Sequence, residues 1–194
     1  MRLATCPLFC LLLLAAYVAH SQPQDLQFAH LGTGTGLSAN NVTCILRDKQ
    51  GFMWFGTKDG LNRYDGYGVD VYRNVPEDPQ SLSSNFVTSM IEDQHGDLWI
   101  GTWGGGLNRF DKARRRFIRY GNVVHSDLIN TLLEDNLGRI WVGSNDHGAW
   151  IYDPKTGKVL LLTSRAGDPG GLSDNDVLTI LEDHEHHIWL GTSH

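Results

Sequence analysis

The fold is decided by residues 92–102, Glu92-Asp93-Gln94-His95-Gly96-Asp97-Leu98-Trp99-Ile100-Gly101-Thr102, because the core of this stretch recurs three more times. Each copy has an aspartate that begins a turn, a tryptophan six residues later and a glycine two residues after the tryptophan. The aspartates are Asp48, Asp93, Asp135 and Asp183. The tryptophans are Trp54, Trp99, Trp141 and Trp189, and the glycines are Gly56, Gly101, Gly143 and Gly191. Successive tryptophans are 45, 42 and 48 residues apart, as are the aspartates, so insertions fall between the units and not inside them.

A repeat of this length that contains short strand-like runs is typical of a β-propeller blade. In the second copy we predict strands at residues 86–92, 97–102, 106–111 and 116–120, separated by turns rich in Asp and Gly. The second strand is apolar throughout, as expected of a strand covered on both faces. We therefore predict an all-β fold of four-stranded antiparallel blades. The repeated tryptophan would fill the space between blades, and the repeated glycine would let the next sheet approach closely.

The copies divide the chain into blades at residues 37–81, 82–124, 125–171 and 172–194, the last of which stops after its second strand. Three and a half blades are too few for a ring, since closed propellers have at least about four blades. The sequence therefore predicts an incomplete ring and the N-terminal piece of a longer protein. Residues 22–36 precede the first copy, and within them residues 26–31 resemble an isolated fourth strand that would close the ring.

Residues 1–21 have the features of a signal peptide: a basic start at Arg2, an apolar run at residues 8–18, and small residues before Gln22. The apolar run is too short to span a bilayer by itself. We therefore predict an exported protein. After cleavage Cys44 is the one remaining cysteine, and its apolar strand predicts a small core residue.

The charge of the chain argues against nucleic-acid binding. The 194 residues carry a formal net charge of −6, whereas a nucleic-acid surface needs clustered Lys and Arg. One basic run, Arg114-Arg115-Arg116, falls in a predicted hairpin loop, where a solvated turn is favoured over a phosphate site.

Three pairs of neighbouring carboxylates could be mistaken for catalytic groups. They are Glu92-Asp93, Glu134-Asp135 and Glu182-Asp183. A catalytic pair is needed once, whereas these pairs recur at the same turn of each blade. We therefore predict structural turns, no catalytic residue and no enzyme activity in this chain.

The tract His184-Glu185-His186-His187 could bind a metal, but it falls in a hairpin turn with no second pair of ligands nearby. No nucleophile elbow, phosphate loop or zinc signature is present in the sequence. We predict neither a metal site nor a cofactor. His186 also occupies a turn position that is glycine in the other copies, Gly51, Gly96 and Gly138, and we expect a positive φ at all four.

The loops between second and third strands differ among the blades while the scaffold repeats, and function on a propeller usually lies in such loops. They provide the candidate ligand-binding residues Lys58, Asp59, Trp103, Asn145, Asp146 and His147. We expect them at the same end of the blades as the loops that contain Asn40, Asn85, Asp127 and Asn175. An exposed tryptophan among polar groups suits a sugar, which needs a surface to stack on and partners for its hydroxyls. The alternative is that Trp103 packs against the adjacent blade.

The recurring string Asn-x-Val, Asp-x-x-Gly-x-x-Trp-x-Gly-Thr, Gly-Leu-x-Arg-Tyr-Asp resembles the two-component regulator propeller repeat. Residues 36–66 resemble the first blade of hybrid two-component sensor histidine kinases from glycan-degrading Bacteroidetes. The resemblance covers residues 26–194. Departures are His186 in place of glycine, a third copy without the Asn-x-Val opening, and Ala149-Trp150 in place of Gly-Leu.

This resemblance implies a periplasmic sensor that binds oligosaccharides and switches on glycan-utilisation genes. It implies partners beyond this segment: the remainder of the propeller and sensor, a second copy in a homodimer, and a membrane helix and kinase further along the chain. Two other readings stay open. One is a secreted propeller enzyme, a lyase or hydrolase acting on glycans; the other is a protein-binding scaffold.

Overall fold

The structure is a computed structural model, and it describes residues 27–168 and 170–194. The predicted signal peptide, residues 1–21, lies outside the described residues. Residues 27–30 are exposed and contain no strand. Residues 31–194 form a separate unit that consists of antiparallel sheets, with one short 3-10 turn at Thr33–Thr35. Among the described residues, no helix has the length and apolar character needed to cross a membrane.

Four consecutive sheets follow the four sequence copies. The first blade contains β1 (Val42–Arg47), β2 (Met53–Thr57), β3 (Gly60–Tyr64) and β4 (Val69–Tyr72). The second contains β5 (Val87–Glu92), β6 (Leu98–Thr102), β7 (Gly106–Asp111) and β8 (Arg116–Arg119). The third contains β9 (Ile129–Glu134), β10 (Ile140–Ser144), β11 (Ala149–Tyr152) and β12 (Val159–Leu162), and the fourth contains β13 (Val177–Glu182) and β14 (Ile188–Thr192). Within each sheet, neighbours in sequence pair antiparallel. The predicted all-β fold of propeller blades, in an open arrangement of three and a half blades, is confirmed.

The first strands of successive blades pack against one another, β1 on β5, β5 on β9 and β9 on β13. We call each contact between consecutive blades a seam. The repeated tryptophans occupy the seams, as predicted: Trp54, Trp99 and Trp141 are 1%, 0% and 6% exposed. The fourth, Trp189, is 62% exposed on the free face of the fourth blade. Strands β6 and β10, which have a blade on each side, are buried along their whole length.

The repeated glycines allow the close approach that we predicted. A Cβ on Gly56 would lie 2.7 Å from Cγ1 of Val87 in the next blade. A Cβ on Gly101 would lie 2.6 Å from Cγ2 of Ile129. Because such distances are closer than carbon atoms tolerate, a larger residue at these positions would push the two sheets apart. Cys44 lies beside Gly56, and burial raises the pKa of its thiol to about 11.

The spacing from aspartate to tryptophan has a structural explanation. In the second blade Asp93 Oδ1 accepts hydrogen bonds from the amides of His95 and Asp97, both at 2.9 Å. Its Oδ2 accepts one from Trp99 Nε1, also at 2.9 Å. One carboxylate therefore shapes the turn and fixes the buried indole at once. The other three blades repeat the aspartate–tryptophan bond at 2.7–2.9 Å.

These bonds also affect titration. Burial by itself would raise the pKa of the Asp48 and Asp135 carboxyls, but hydrogen bonds from the indole and from the turn amide outweigh it. Both pKa values therefore lie below the ordinary 3.8. Since the folded-state pKa is depressed, each group contributes stability that is present above the unfolded pKa. That stability is lost as the pH falls through the folded-state pKa.

The glutamates of the three carboxylate pairs have a different partner. Glu92 Oε2 accepts a hydrogen bond from the Lys49 amide of the preceding blade at 2.7 Å. Glu134 and Glu182 accept equivalent bonds from the preceding turns, at 2.8 and 2.9 Å. In each pair the aspartate thus accepts hydrogen bonds within its own blade, and the glutamate accepts one from the turn of the preceding blade. The pairs are parts of the scaffold.

The turn geometry matches the expectation at all four positions. Gly51, Gly96 and Gly138 have φ values of 94°, 86° and 80°, and His186 has 65°. His186 therefore adopts a left-handed conformation that glycine adopts more easily. The His186 side chain is 61% exposed, and its Nδ1 lies 2.7 Å from Glu182 Oε1.

Replacing His186 with glycine is expected to raise the free energy of unfolding by up to about 1 kcal/mol, because the strained backbone is relieved. The exposed pair with Glu182 offsets little of this. Urea unfolding of the intact chain measures the change, and His186→Ala is the matched control, because it removes the pair and keeps the strain. A loss of stability in His186→Gly would contradict this prediction, and a loss at least as large in His186→Ala would assign the effect to the imidazole.

The strand expected at residues 26–31 is not seen in the described part of that segment, residues 27–31. A strand needs the edge of another sheet for its hydrogen bonds, and no described strand pairs with this segment. Its role in closing a ring stays a prediction.

Candidate functional site

Two sets of loops meet at one end of the blades, as predicted. The turns between second and third strands donate hydrogen bonds to the loops that lead into the next blade. Gly60 N donates to Asn85 O at 2.8 Å and Gly148 N to Asn175 O at 2.8 Å. We call this end of the sheets the loop face. The Asp-x-x-Gly turns lie at the opposite end, because neighbouring strands are antiparallel.

The six predicted ligand-binding residues lie on the loop face in three groups. In the first group Lys58 Nζ lies 5.2 Å from the centre of the Phe86 ring. Phe86 in turn contacts Trp103 edge to face, with ring centres 5.4 Å apart. Trp103 is 40% exposed. Its side chain thus packs partly on the loop of its own blade and keeps an open surface.

The second group is a single ion pair. Asp59 Oδ2 lies 2.9 Å from Arg73 NH2, and both side chains are nearly half exposed. This carboxylate has its charge balanced within the first blade.

The third group joins two loops of the third blade. The backbone N–H of Asn145 donates to Leu128 O at 2.9 Å. Ser126 Oγ donates to Asp146 Oδ1 at 3.0 Å, and His147 Nδ1 lies 2.6 Å from the same oxygen. One carboxylate oxygen therefore orients a hydroxyl and an imidazole from different loops.

A cavity of about 620 Å³ opens beside this third group. It is lined by residues 124–128 together with Gly104, Gly121, Asp146 and His147. We call it the third-blade cavity. Trp103 lies next to it, since its backbone pairs with Leu128 and it precedes Gly104. The cavity thus brings together two of the six predicted residues, Asp146 and His147, and has a third, Trp103, next to it.

Loop length explains why the cavity lies at this blade. The loop that leads into the second blade spans residues 73–86, and the loop that leads into the fourth spans residues 163–176, fourteen residues each. The loop that leads into the third blade spans residues 120–128, which is nine residues. The loop into the third blade is therefore five residues shorter than the other two and leaves more of the loop face uncovered.

A substitution in β11 contributes as well. In the first two blades an asparagine of the third strand, Asn62 or Asn108, accepts a hydrogen bond from the amide of the serine at the start of the repeat. Its amide group also donates to that serine hydroxyl. The third blade has Trp150 at this position of the ladder. The serine of this pair lies four residues before the first strand of its blade, and His125 has the same place before β9 and packs against Trp150.

The groups that line the cavity suit a ligand with many hydroxyls. Asp127 and Asp146 are exposed carboxylates, and carboxylates accept hydrogen bonds only. His125 and His147 are exposed imidazoles, which can donate or accept. His125 also packs edge to face against Trp150, with ring centres 5.8 Å apart.

Sequence reasoning missed His125, Ser126 and Asp127 as candidate residues. The available signal was the shortest distance between successive tryptophans, 42 residues from Trp99 to Trp141. A shortened connection between two otherwise regular blades locates the gap in the surface.

The histidine-rich turn lies at the opposite end from the loop face. His187 Nδ1 lies 3.4 Å from Asp183 Oδ2, in the same turn as the pair between His186 and Glu182. Nowhere in residues 27–168 and 170–194 do three or more His, Cys, Asp or Glu side chains converge in a way that could hold a metal ion.

The repeat matches a known family pattern. The pattern described as two component regulator propeller matches residues 36–59, 81–104, 124–146 and 171–194, one segment in each blade. The chain belongs to the two component regulator propeller family. Each matched segment of this regulator propeller contains the aspartate turn and the tryptophan strand.

Solved structures share the architecture of the regulator propeller. The extracellular domain of a hybrid two component system from B. thetaiotaomicron superposes with a TM-score of 0.73 and 25% identity, over 87% of this chain and 23% of that one. Virginiamycin B lyase from Staphylococcus aureus gives a TM-score of 0.57 and 14% identity, over 77% of this chain and 48% of the lyase chain. At that identity the similarity concerns the fold alone.

One relative is similar in sequence. A stretch of 47 residues is 51% identical to histidine kinase P4 from Formosa agariphila. This stretch covers 24% of this chain and 3% of that protein. The regulator propeller therefore spans less than a quarter of the length of either the kinase or the B. thetaiotaomicron domain.

Proposed function

We propose that this regulator propeller is the exported, ligand-sensing part of a hybrid two-component sensor, and that its ligand is an oligosaccharide bound at the third-blade cavity. The observation that carries the proposal is the cavity itself. It lies where a shortened loop and Trp150 interrupt an otherwise regular scaffold. Departures from a repeat that are clustered on one loop face are characteristic of a binding site on a propeller.

The chemistry of the cavity supports a sugar ligand. Asp146 is held by Ser126 and His147, so its carboxylate is positioned before any ligand arrives. A preorganised acceptor of this kind suits sugar hydroxyls. Trp103, 40% exposed beside the cavity, offers a flat apolar surface for the face of a sugar ring.

Binding without catalysis fits the rest of the chain. The three Glu-Asp pairs are used in turns and seams at the opposite end from the cavity. The predicted signal peptide and the similarity to an extracellular domain support an exported location. The similarity to a histidine kinase supports a role in signalling. Control of glycan-utilisation genes is the output that we propose for the whole sensor.

The proposal is tested by calorimetric titration of the intact chain with five neutral tetrasaccharides: those of the malto-, cello-, laminari-, xylo- and manno- series. We expect one of them to bind, and we expect Asp146→Asn to weaken it at least tenfold, because the acceptor for sugar hydroxyls loses its charge. Glu77→Gln is the matched control. It removes one charge from an exposed site in the 73–86 loop, away from the cavity, and we expect an unchanged Kd.

Two results would count against the proposal. One is the absence of binding for all five sugars at millimolar concentration. The other is an equal loss of affinity in Asp146→Asn and Glu77→Gln, since this would indicate a general charge effect.

A further inference from the structure

We propose that β12, the outer strand of the third blade, is a docking edge for a partner protein, which would add an extended apolar segment with acidic ends as a fifth strand. We call Val159–Leu162 the β12 edge. In strand addition of this kind, backbone hydrogen bonds provide the affinity and side chains provide the specificity. The proposal does not depend on sugar binding at the third-blade cavity.

The β12 edge is apolar and contains no charged residue. The outer strands of the first two blades both contain charges, among them Asp70 in β4 and Arg119 in β8. The sequence of β12 is Val-Leu-Leu-Leu, and three of its side chains are exposed: Val159 at 41%, Leu160 at 56% and Leu161 at 39%. Because charges on an outer strand hinder pairing with other strands, β12 lacks a protection that β4 and β8 have.

The pairing of β11 with β12 shows which backbone groups of the edge point outward. Asp153 N donates to Lys158 O at 2.9 Å, so the backbone of Lys158 points toward β11. The direction alternates along an antiparallel strand. The N–H and C=O groups of Val159 and Leu161 therefore point away from the sheet, toward the position of an added strand.

The second blade shows how the same edge is covered where the loop is longer. Counted through the sheet from the repeated tryptophan, Phe117 of β8 has the position of Val159. Phe117 N donates to Gln80 O at 2.7 Å, and Arg119 Nε donates to Ser81 O at 3.2 Å. Phe117 is only 4% exposed. The loop that leads into the second blade thus lies on β8 and accepts its hydrogen bonds.

The third blade lacks this cover. Its leading loop, residues 120–128, is five residues shorter than the loop 73–86 that contains Gln80. Among residues 27–168 and 170–194, no loop carbonyl accepts a hydrogen bond from the N–H of Val159 or Leu161. The shortening that opens the third-blade cavity therefore also leaves the β12 edge open.

Cations at both ends of the edge indicate the charge of the partner segment. Lys158 directly precedes the strand and Arg165 follows it by three residues, and both are exposed. Neither forms an ion pair within the described part of the chain. The carboxylates of Asp153 and Asp168 instead accept backbone hydrogen bonds in their own turns, at 2.9 and 3.0 Å. Acidic residues at the two ends of an added segment would complement these cations.

The same cations disfavour a second copy of this chain as the occupant. Two β12 strands that pair with each other would bring Lys158 and Arg165 of both copies close together. Neither strand contains a carboxylate to balance them. Like charges across a strand pair are destabilising, so the edge suits a partner of opposite charge.

The test is a fluorescence anisotropy titration of the labelled peptide Glu-Val-Thr-Val-Thr-Val-Glu with the intact chain. We expect saturable binding. The same peptide with N-methyl groups on its three central residues is the control, because it keeps the side chains and loses backbone donors. We expect it to bind at least tenfold more weakly.

Two pairs of variants locate the binding. Val159→Pro removes an N–H that points outward, which an outer strand tolerates, and is expected to weaken the peptide at least tenfold. Val159→Thr keeps the N–H and is expected to change the Kd less than threefold. Arg165→Gln is expected to weaken the acidic peptide, whereas Arg47→Gln, which removes an exposed arginine from the first blade, is expected to leave it unchanged. Thermal melting confirms that each variant is folded.

Four results would overturn the proposal. They are the absence of saturable binding at submillimolar protein, equal affinity for the N-methylated peptide, equal losses in Val159→Pro and Val159→Thr, and a dimer that Val159→Pro dissociates. The last, measured by sedimentation, would show that the edge binds a second copy. Because neutral tetrasaccharides and Asp146→Asn report on the third-blade cavity, failure at one site is distinguishable from failure at the other.

Discussion

Replacing Trp99 with alanine is expected to lower the free energy of unfolding by about 3–5 kcal/mol, the range for a large buried aromatic side chain. Trp99 is 0% exposed and packs against Leu107, Ile129 and Ile140 in the second seam. Its indole also fills one of the three positions around the Asp93 carboxylate. The alanine variant therefore loses packing between two blades and leaves a buried acceptor short of one donor. Urea unfolding of the intact chain, followed by circular dichroism, measures the loss.

The chain provides a matched control in the fourth blade. Trp189 occupies the same position of the repeat and makes the same bond to Asp183, at 2.7 Å. It is 62% exposed, however, and has no blade packed on its side chain. We expect Trp189→Ala to cost less than about 1 kcal/mol. Equal losses in the two variants would mean that packing in the seam is not what stabilises the protein.

Replacing Asp93 with alanine is the second large expected effect, a loss of roughly 3–5 kcal/mol. The residue is only 4% exposed, and its carboxylate accepts hydrogen bonds from two turn amides and the Trp99 indole. Removal of the carboxylate leaves these three donors without their acceptor. The same urea experiment measures the change.

Asp97→Ala is the control for the second prediction, because it removes a carboxylate from the same turn. The side chain of Asp97 is 36% exposed, and its partner is Arg109 NH1 at 3.0 Å. A surface pair of this kind contributes at most about 1 kcal/mol. If Asp93→Ala were as mild as Asp97→Ala, the aspartate of the repeat would have no special structural role.

Much of the fold could be predicted because it is periodic. Four copies in register predicted the strands and the burial of Trp54, Trp99 and Trp141. The positive φ of His186 could be predicted from glycine at the same position in the other copies. These features depend on residues within one repeat, so the spacing of residues in the repeat is enough to predict them.

Contacts between repeats were harder to predict. Nothing in the sequence around Glu92 indicates that its carboxylate accepts a bond from Lys49, 43 residues earlier in the chain. The contacts of Arg115 with Asp70 and Tyr72 across the first seam could not be predicted either, since they depend on how two sheets are placed. The basic run was interpreted as a solvated turn; Arg114 fits that interpretation, and Arg115 has partners in another blade.

The candidate site was predicted in part. Loop variability identified Asp146 and His147, which line the third-blade cavity, and Trp103 beside it. It also identified Lys58 and Asp59, which lie in other groups of the loop face. The loop 120–128 was missed because variability was sought between second and third strands, whereas the cavity results from a shortening elsewhere. Ligand binding by all six residues stays a prediction.

The most direct test of the proposed sensor function is hydrogen–deuterium exchange of the intact chain, with and without the tetrasaccharide that binds best. We expect slower exchange in two segments that contain residues lining the third-blade cavity, residues 121–128 and 144–148. We expect no change in the Asp-x-x-Gly turns at the opposite end. Protection confined to those turns, or to the free face of the fourth blade around Trp189, would contradict the proposed function.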